Sequence, residues 1–319
     1  MPQKHDAIGG SESLRREAAA AQTANGASLA RVAIVMVVSP GEAEIALDSL
    51  SRAALLSPGD TTFFLADNTG DLTTIAAFPS QLARPLVILP VQGAPRPYFE
   101  IGRTVFSLLS RVAPFAPELV IKIDPDTVVL SPLFFIDLME LVRQADFAAA
   151  QITCQGFGNN FRRLFRLMLD VLPIGITRTE ANTRYGAISR LRLGRAWHWR
   201  GTLTALIRWR APRAYPSGGA YGLSGRMLAR LGASGRLVTS GSDGLEWNDD
   251  ILLPLLIRAL GGKIVDVRST AAANGWRWMH GSRYFEAEDL HQPGVRAAHP
   301  LKNTPSDLTI RQLLPHPTK

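Results

Sequence analysis

The sequence predicts an α/β fold, a mostly parallel sheet with helices on both faces, and three observations predict it. Short runs that are apolar throughout, such as "VAIVMVV" at 32–38, read as strands buried on both sides. These runs alternate with longer stretches whose apolar residues recur at helical spacing. With 319 residues and 46% apolar content, the chain is large enough to bury a full core.

Residues 1–30 are polar and rich in Ala, Gly and Ser, and are expected to form a mobile tail. "RVAIVMVVS" (31–39) is the expected first strand and "EAEIALDSLSRAALLS" (42–57) the first helix. "TTFFLADN" (61–68) and "PLVILPV" (85–91) follow as strands, then "YFEIGRTVFSLLSRVA" (98–113) as an amphipathic helix. "LVIKID" (119–124) is the fourth strand, "SPLFFIDLMELVRQ" (131–144) a helix with Pro at its start, and "DFAAAQIT" (146–153) another strand. The rhythm breaks at about 155–214. It resumes with "SGGAYGLSGRMLARLG" (217–232), "NDDILLPLLIRALGG" (248–262) and the strand "KIVDVR" (263–268), before a tail rich in aromatics and proline. One catalytic-size domain over 31–319, carrying an insertion, accounts for this order.

Cys154 is the single cysteine, which excludes a disulfide framework and a cysteine-rich zinc site. The first thirty residues lack the apolar core of a secretory signal. No apolar run approaches the ~20 residues of a spanning helix. A cytoplasmic protein, peripheral on the inner face of the membrane at most, is expected.

The stretch "KIDPDTVV" delivers two acids, Asp124 and Asp126, to the end of a buried strand. Open α/β sheets bind ligands beyond the carboxyl ends of their strands. In extended backbone, residues two apart point the same way, so both carboxylates can face one ion. Pro125 has no N–H to leave unpaired and favours extension at Asp124. Two like charges this close repel unless a cation lies between them, and hard oxygen ligands suit Mn²⁺ or Mg²⁺. A strand-end Asp capping the helix near Ser131 fits the same letters.

The order "KIDPDTVV", "YPSGGAYGLSGRMLARL", "NDDILLPLLIRALGG" resembles GT-A glycosyltransferases of the β-1,3-galactosyl, N-acetylglucosaminyl and fringe type, glycosyltransferase family 31. Members carry K-x-D-x-D-V, a GG-x-G/Y-x-L-S segment and E/D-D-V-x-x-G in that order. The likeness spans roughly 31–300 and is strong in these three blocks. Pro125 stands where an Asp is usual, Asp249 where Glu is common, and Pro254 where members have Gly. The cysteines and anchor of animal members are missing, and a bacterial source is expected.

The resemblance implies a GT-A, Rossmann-like sheet and an inverting, metal-dependent transfer of a hexosyl unit from a nucleotide sugar, a UDP-sugar by family, to a glycan hydroxyl in surface polysaccharide assembly. It implies that Asp124 and Asp126 hold the metal, with Asp126 the direct ligand and Asp124 also on the donor side. It draws His299 of "RAAHPLKN" into the metal shell, ahead of His280 and His291. It puts Asp250 on the base that takes the acceptor proton, with Asp249 beside it. Both acids fall at a predicted helix start, with Pro254 near the first turn, and N-capping explains them equally. Gly218 and Gly219 would let the backbone approach the donor, or simply make a turn. Asp67 would reach the nucleobase, although "ADNTGD" also reads as a turn. Lys122 is expected to supply a charge behind the pair.

Two other readings compete. "IDPDTVV" also fits the first motif of haloacid-dehalogenase-like phosphohydrolases, but no lysine lies between Lys122 and Lys263, ahead of the later acids Asp249 and Asp250, and three strands precede the motif. A non-catalytic basic binder is the other. Twelve arginines against Asp170 and Glu180 give residues 160–214 a balance of +10 within a net charge of +8. Mixed with Trp, Leu and Ile, they suggest an anionic membrane surface bearing a lipid-linked glycan acceptor, rather than nucleic acid. The aromatics of "NGWRWMHGSRYF" (274–285) suit either a sugar face or a satellite core.

Overall fold

A computed structural model describes residues 31–69, 75–82, 84–90, 101–150, 218–235, 237, 249–271, 275–278, 286–302 and 305–314. The expected tail and the basic insertion lie outside the described residues. The first half follows the sequence closely: β1 (Val32–Val38), α1 (Ala43–Leu56), β2 (Thr61–Asp67), the single turn α2 (Phe78–Gln81), β3 (Leu86–Pro90), α3 (Ile101–Val112) and β4 (Leu119–Ile123). Then come β5 (Val128–Val129), α4 (Leu133–Gln144), β6 (Phe147–Ala149), β7 (Ala220–Ser224), α5 (Gly225–Ala233), α6 (Asp249–Ala259) and β8 (Ile264–Asp266). The chain closes with β9 (Trp276–Trp278), α7 (Ala287–Leu290), β10 (Ala297–His299) and α8 (Pro305–Leu313).

Seven strands form the central sheet in the order β3-β2-β1-β4-β7-β6-β8. All pairings are parallel except those of β7, which runs against both β4 and β6. Every residue of β1 is buried, as its unbroken apolar run requires. Alternate side chains serve two cores. Ala33, Val35 and Val37 pack with α3, α5 and α6 residues such as Phe106, Met227 and Leu256, whereas Ile34 and Met36 pack with Leu50 of α1 and Phe135 of α4. Among the described residues no helix is long and apolar enough to cross a membrane.

Two features of the topology build the site. Because β7 is antiparallel to β4, with Lys122 opposite Tyr221 and Ile123 opposite Ala220, the residues before β7 meet the residues after β4. That puts Gly219 beside Asp124. In the second sheet, of order β5-β10-β9, Ala298 pairs antiparallel with Val128, so His299 returns beside Thr127. The tail after β8 therefore supplies a second small core, formed by Val128, Leu290, Ala298, Leu301, Ile310 and Leu314.

The structure corrects one expectation here. Pro254 does not sit near the first turn; it lies at the sixth residue of α6. Lacking an N–H, it withholds the intrahelical bond that would reach the carbonyl of Asp250.

Candidate functional site

The acids at the end of β4 sit on a turn, not on extended backbone. The Thr127 N–H donates to the Asp124 carbonyl at 3.0 Å, and Pro125 occupies the turn's second position, where its fixed φ fits. The expectation of extended backbone is thus corrected at Pro125 and Asp126, the turn's central positions, and not at Asp124, its first residue; the two carboxylates still converge. One ligand atom each from Asp124, Asp126 and His299 lie within 4.8 Å of one another.

The three groups differ in what they have free. Asp124 is engaged at both oxygens: Lys122 Nζ lies 2.6 Å from Oδ1, and the Gly219 N–H donates to Oδ2 at 3.0 Å. Asp126 is buried. Its Oδ2 pairs with Lys302 Nζ at 3.2 Å, while its Oδ1 has no hydrogen-bond partner. His299 Nδ1 comes within 3.2 Å of that Oδ1, but not aligned as a hydrogen bond. Burial acts to raise the pKa of Asp126, and the facing His299 and Lys302 outweigh it, so the carboxyl lies well below its usual range. A buried, ionised, unbonded oxygen is costly unless something positive completes it.

This donor set fits a divalent cation. Two ligands about 2.1 Å from an octahedral ion on perpendicular axes stand about 3.0 Å apart, close to the 3.2 Å between Asp126 Oδ1 and His299 Nδ1. Charge agrees: among the described residues, Glu42, Asp124, Asp126, Asp249 and Asp250 are joined by ion pairs to Lys122 and Lys302. Carboxylate and imidazole together suit Mn²⁺ or Mg²⁺ better than a soft metal.

Behind the turn, Lys122 is buried on β4 with its ammonium 2.6 Å from Asp124, 3.6 Å from Asp249 and 4.0 Å from Asp250. Burial works to lower its pKa, but those three carboxylates raise it further, so Lys122 stays charged. Tyr221, directly across from it on β7, donates to Asp249 Oδ2 at 3.0 Å.

The acids opening α6 are therefore unequal. Asp249 is spoken for by Tyr221 and Lys122. Asp250 keeps a buried Oδ1 with no hydrogen bond, 4.0 Å from Lys122 Nζ, and its Oδ2 faces the backbone of Gly218. Burial first, then the Asp249 charge, pushes the Asp250 carboxyl well above its ordinary value, against the pull of Lys122.

Gly218 and Gly219 both have φ near +80° and form the floor between these groups. A Cβ on Gly219 would stand 2.5 Å from His299 Cγ, and one on Gly218 would stand 3.1 Å from Asp250 Oδ2. The glycines therefore serve a close approach of protein to protein: they let the imidazole and the Asp250 carboxylate converge. Trp278 Nε1 donates to the Gly218 carbonyl at 3.0 Å, and its ring lies 5.8 Å from that of His299.

Of the other predicted residues, Asp67 ends β2 and bonds its own turn, accepting from the Thr69 N–H and hydroxyl through Oδ1. Its neighbour Asn68 is buried with neither amide atom bonded. His291 is exposed after α7, and His280 lies outside the described residues. Trp276 and Trp278 are buried, Trp276 against Phe134, so this pair belongs to the main core on the α1 and α4 side of the sheet and not to a satellite of it. Tyr284 and Phe285 lie outside the described residues.

Four site residues escaped the sequence reading: Glu42, Thr127, Tyr221 and Lys302. The Thr127 hydroxyl donates to the Gly219 carbonyl at 2.9 Å and lies 3.2 Å from His299 Nδ1. Thr127 and Tyr221 sit inside quoted motifs, and Lys302 follows His299 by three residues, so proximity in sequence was a usable signal. Nothing in the sequence marks Glu42, whose carboxylate meets Lys302 at 2.7 Å across 260 residues.

No family model and no curated protein sequence matches the chain. Solved structures do show likeness. The galactosyltransferase LgtC, in complex with donor and acceptor sugar analogs, is 14% identical over 88% of this chain and 96% of its own, with a TM-score of 0.44. The mannosyltransferase PcManGT from Pyrobaculum calidifontis, in complex with GDP-Man and Mn²⁺, is 11% identical over 63% of this chain and 46% of its own, at 0.36. The 4-diphosphocytidyl-2C-methyl-D-erythritol synthase of Anaerococcus prevotii is 15% identical over 38% of this chain and 54% of its own, at 0.29. The chain thus spans about half the length of the last two.

Proposed function

We propose that the chain is a metal-dependent GT-A glycosyltransferase that moves a hexosyl unit from a nucleotide sugar to a glycan hydroxyl. The observation that carries this reading is the pairing of two differently prepared acids at one sheet edge. Asp126 offers a buried, unbonded oxygen beside His299, and Asp250 offers a carboxylate across Gly218 whose buried Oδ1 has no hydrogen bond.

Asp126 and His299 would hold Mn²⁺ or Mg²⁺. Asp124, already bound by Lys122 and Gly219, positions the turn and faces the donor. When bound, the ion stabilises negative charge on the departing nucleoside diphosphate. Lys302 orients Asp126 by holding its Oδ2. Asp250 accepts the proton of the acceptor hydroxyl, its raised pKa making it a stronger base than an ordinary carboxylate. Asp249, held by Tyr221, keeps the start of α6 in place. Attack opposite the leaving group inverts the anomeric carbon. The choice of UDP and the family-31 likeness rest on the three sequence blocks. The acceptor class and the membrane surface rest on the basic, aromatic residues 160–214.

The phosphohydrolase alternative is disfavoured by the order of its parts: no lysine lies between Lys122 and Lys263, so the later acids Asp249 and Asp250 precede any candidate.

A thermal-shift screen of UDP-, GDP- and TDP-sugars tests the reading. Five carboxylates around two ammonium groups repel a diphosphate, so stabilisation is expected with Mn²⁺ and none with EDTA. Equal stabilisation with and without the ion, or none by any nucleotide, would contradict it.

A further inference from the structure

One guanidinium joins the two segments that carry the candidate metal ligands. Arg311 lies on α8 and is buried. Its Nη2 donates to the Pro125 carbonyl at 2.9 Å and to Ser49 Oγ at 3.0 Å. Nη1 donates to Asp48 Oδ2 at 2.6 Å and to the Ile45 carbonyl at 3.3 Å, and Nε donates to the Leu301 carbonyl at 2.7 Å. All five N–H donors of the fork thus have acceptors, which is what burying a guanidinium demands.

The two carbonyls matter by position. Pro125 lies between Asp124 and Asp126, and Leu301 lies, with Pro300, between His299 and Lys302. The Leu301 N–H also donates to the Asp126 carbonyl at 3.0 Å, so the segments touch directly. Ser49 Oγ donates to the same Pro125 carbonyl at 2.7 Å, anchoring the turn to α1. A planar fork pinned at α1 fixes both carbonyls at once, which a point charge on a flexible stem does not.

We infer that Arg311 is a positioning residue of the metal centre, setting the separation of Asp126 from His299 by holding the carbonyls of Pro125 and Leu301. The inference rests on the metal reading above. Arg311→Lys keeps the charge facing Asp48 but cannot span both carbonyls. Arg52 supplies the control: it is equally buried on α1 and bonds Asp48 at 2.8 Å and the backbone carbonyl of Arg311 at 3.2 Å.

The test titrates substrate-free wild type, Arg311→Lys and Arg52→Lys with Mn²⁺, read by electron paramagnetic resonance, with hydrogen exchange on the metal-free proteins. Arg311→Lys is expected to weaken Mn²⁺ binding by about tenfold or more, and to speed exchange at the Thr127 and Leu301 amides. Arg52→Lys is expected to lower the melting temperature while keeping wild-type affinity. Ser49→Ala, which removes the other donor to Pro125, gives the same readout should Arg311→Lys not fold. Wild-type Mn²⁺ binding with unchanged affinity in the Arg311 or Ser49 variant overturns the inference alone, as does an equal loss in Arg52→Lys. A wild type that binds no Mn²⁺ overturns the metal site and the inference together.

Discussion

Asp126→Ala is expected to leave a folded protein that no longer binds Mn²⁺ and transfers sugar about a thousandfold more slowly or worse, a loss of several kcal/mol of charge stabilisation. The fold should survive because Lys302, the cation that Asp126 holds, keeps Glu42 at 2.7 Å. The loss should be large because Asp126 Oδ1 is the buried ligand oxygen with no bond of its own, whereas both oxygens of Asp124 are held by the protein. Asp124→Asn should therefore act differently, disturbing Lys122 and Gly219 before it disturbs metal affinity. Calorimetric Mn²⁺ titration alongside a melting curve separates the two. Full metal affinity in Asp126→Ala would remove the assignment.

Asp250→Asn is expected to lower the rate of transfer about 10²- to 10⁴-fold, the range for a lost general base, while raising stability at neutral pH. The two effects share one cause. Burial and the neighbouring Asp249 raise the Asp250 pKa above its unfolded value, so the folded state holds that proton more tightly. Its contribution to stability is present at low pH and is lost as pH rises through the folded pKa. Removing the charge should therefore stabilise the protein increasingly as pH rises from the unfolded pKa to the folded one, and do nothing below the unfolded value. The wild-type rate should rise with pH over the same interval, above the ordinary carboxylate range, because only the ionised acid accepts a proton. An N-capping role predicts the reverse stability change, since Asn merely replaces one good cap by another and loses the interaction with the helix dipole. Melting curves of both proteins between pH 4 and pH 8, a window chosen about the ordinary Asp value, decide between them.

The legible part of this protein was local. "VAIVMVV" reads as a buried strand because seven successive apolar residues fit a sheet covered on both faces. The acids of "KIDPDTVV" stand out because two like charges at the end of a buried apolar strand need a partner, whereas those of "NDDILL" are ordinary at a helix start and stood out only through the resemblance. What the sequence hid is long-range. β10 is three residues long, and its pairing with Val128–Val129 crosses most of the chain, so nothing local marks "AAH" as a strand that returns His299 to the turn. The antiparallel course of β7 was hidden for the same reason, and with it the meeting of Gly219 and Asp124. Lys302 and Arg311 reveal their use only through acceptors on α1 and on the turn after β4. Pro254 misled because helix starts are read from caps, and α6 continues past it. The turn at Pro125 misled because proline suits an extended neighbour and the second position of a turn alike.

Crystals soaked with Mn²⁺ and a nucleoside diphosphate, with data collected at the manganese absorption edge, test the central claim most directly. The expected result is one anomalous peak within coordination distance, about 2.1 Å, of Asp126 Oδ1 and of the His299 ring, with the diphosphate on the open side. A nucleotide bound at this sheet edge with no ion between Asp126 and His299 would contradict the account.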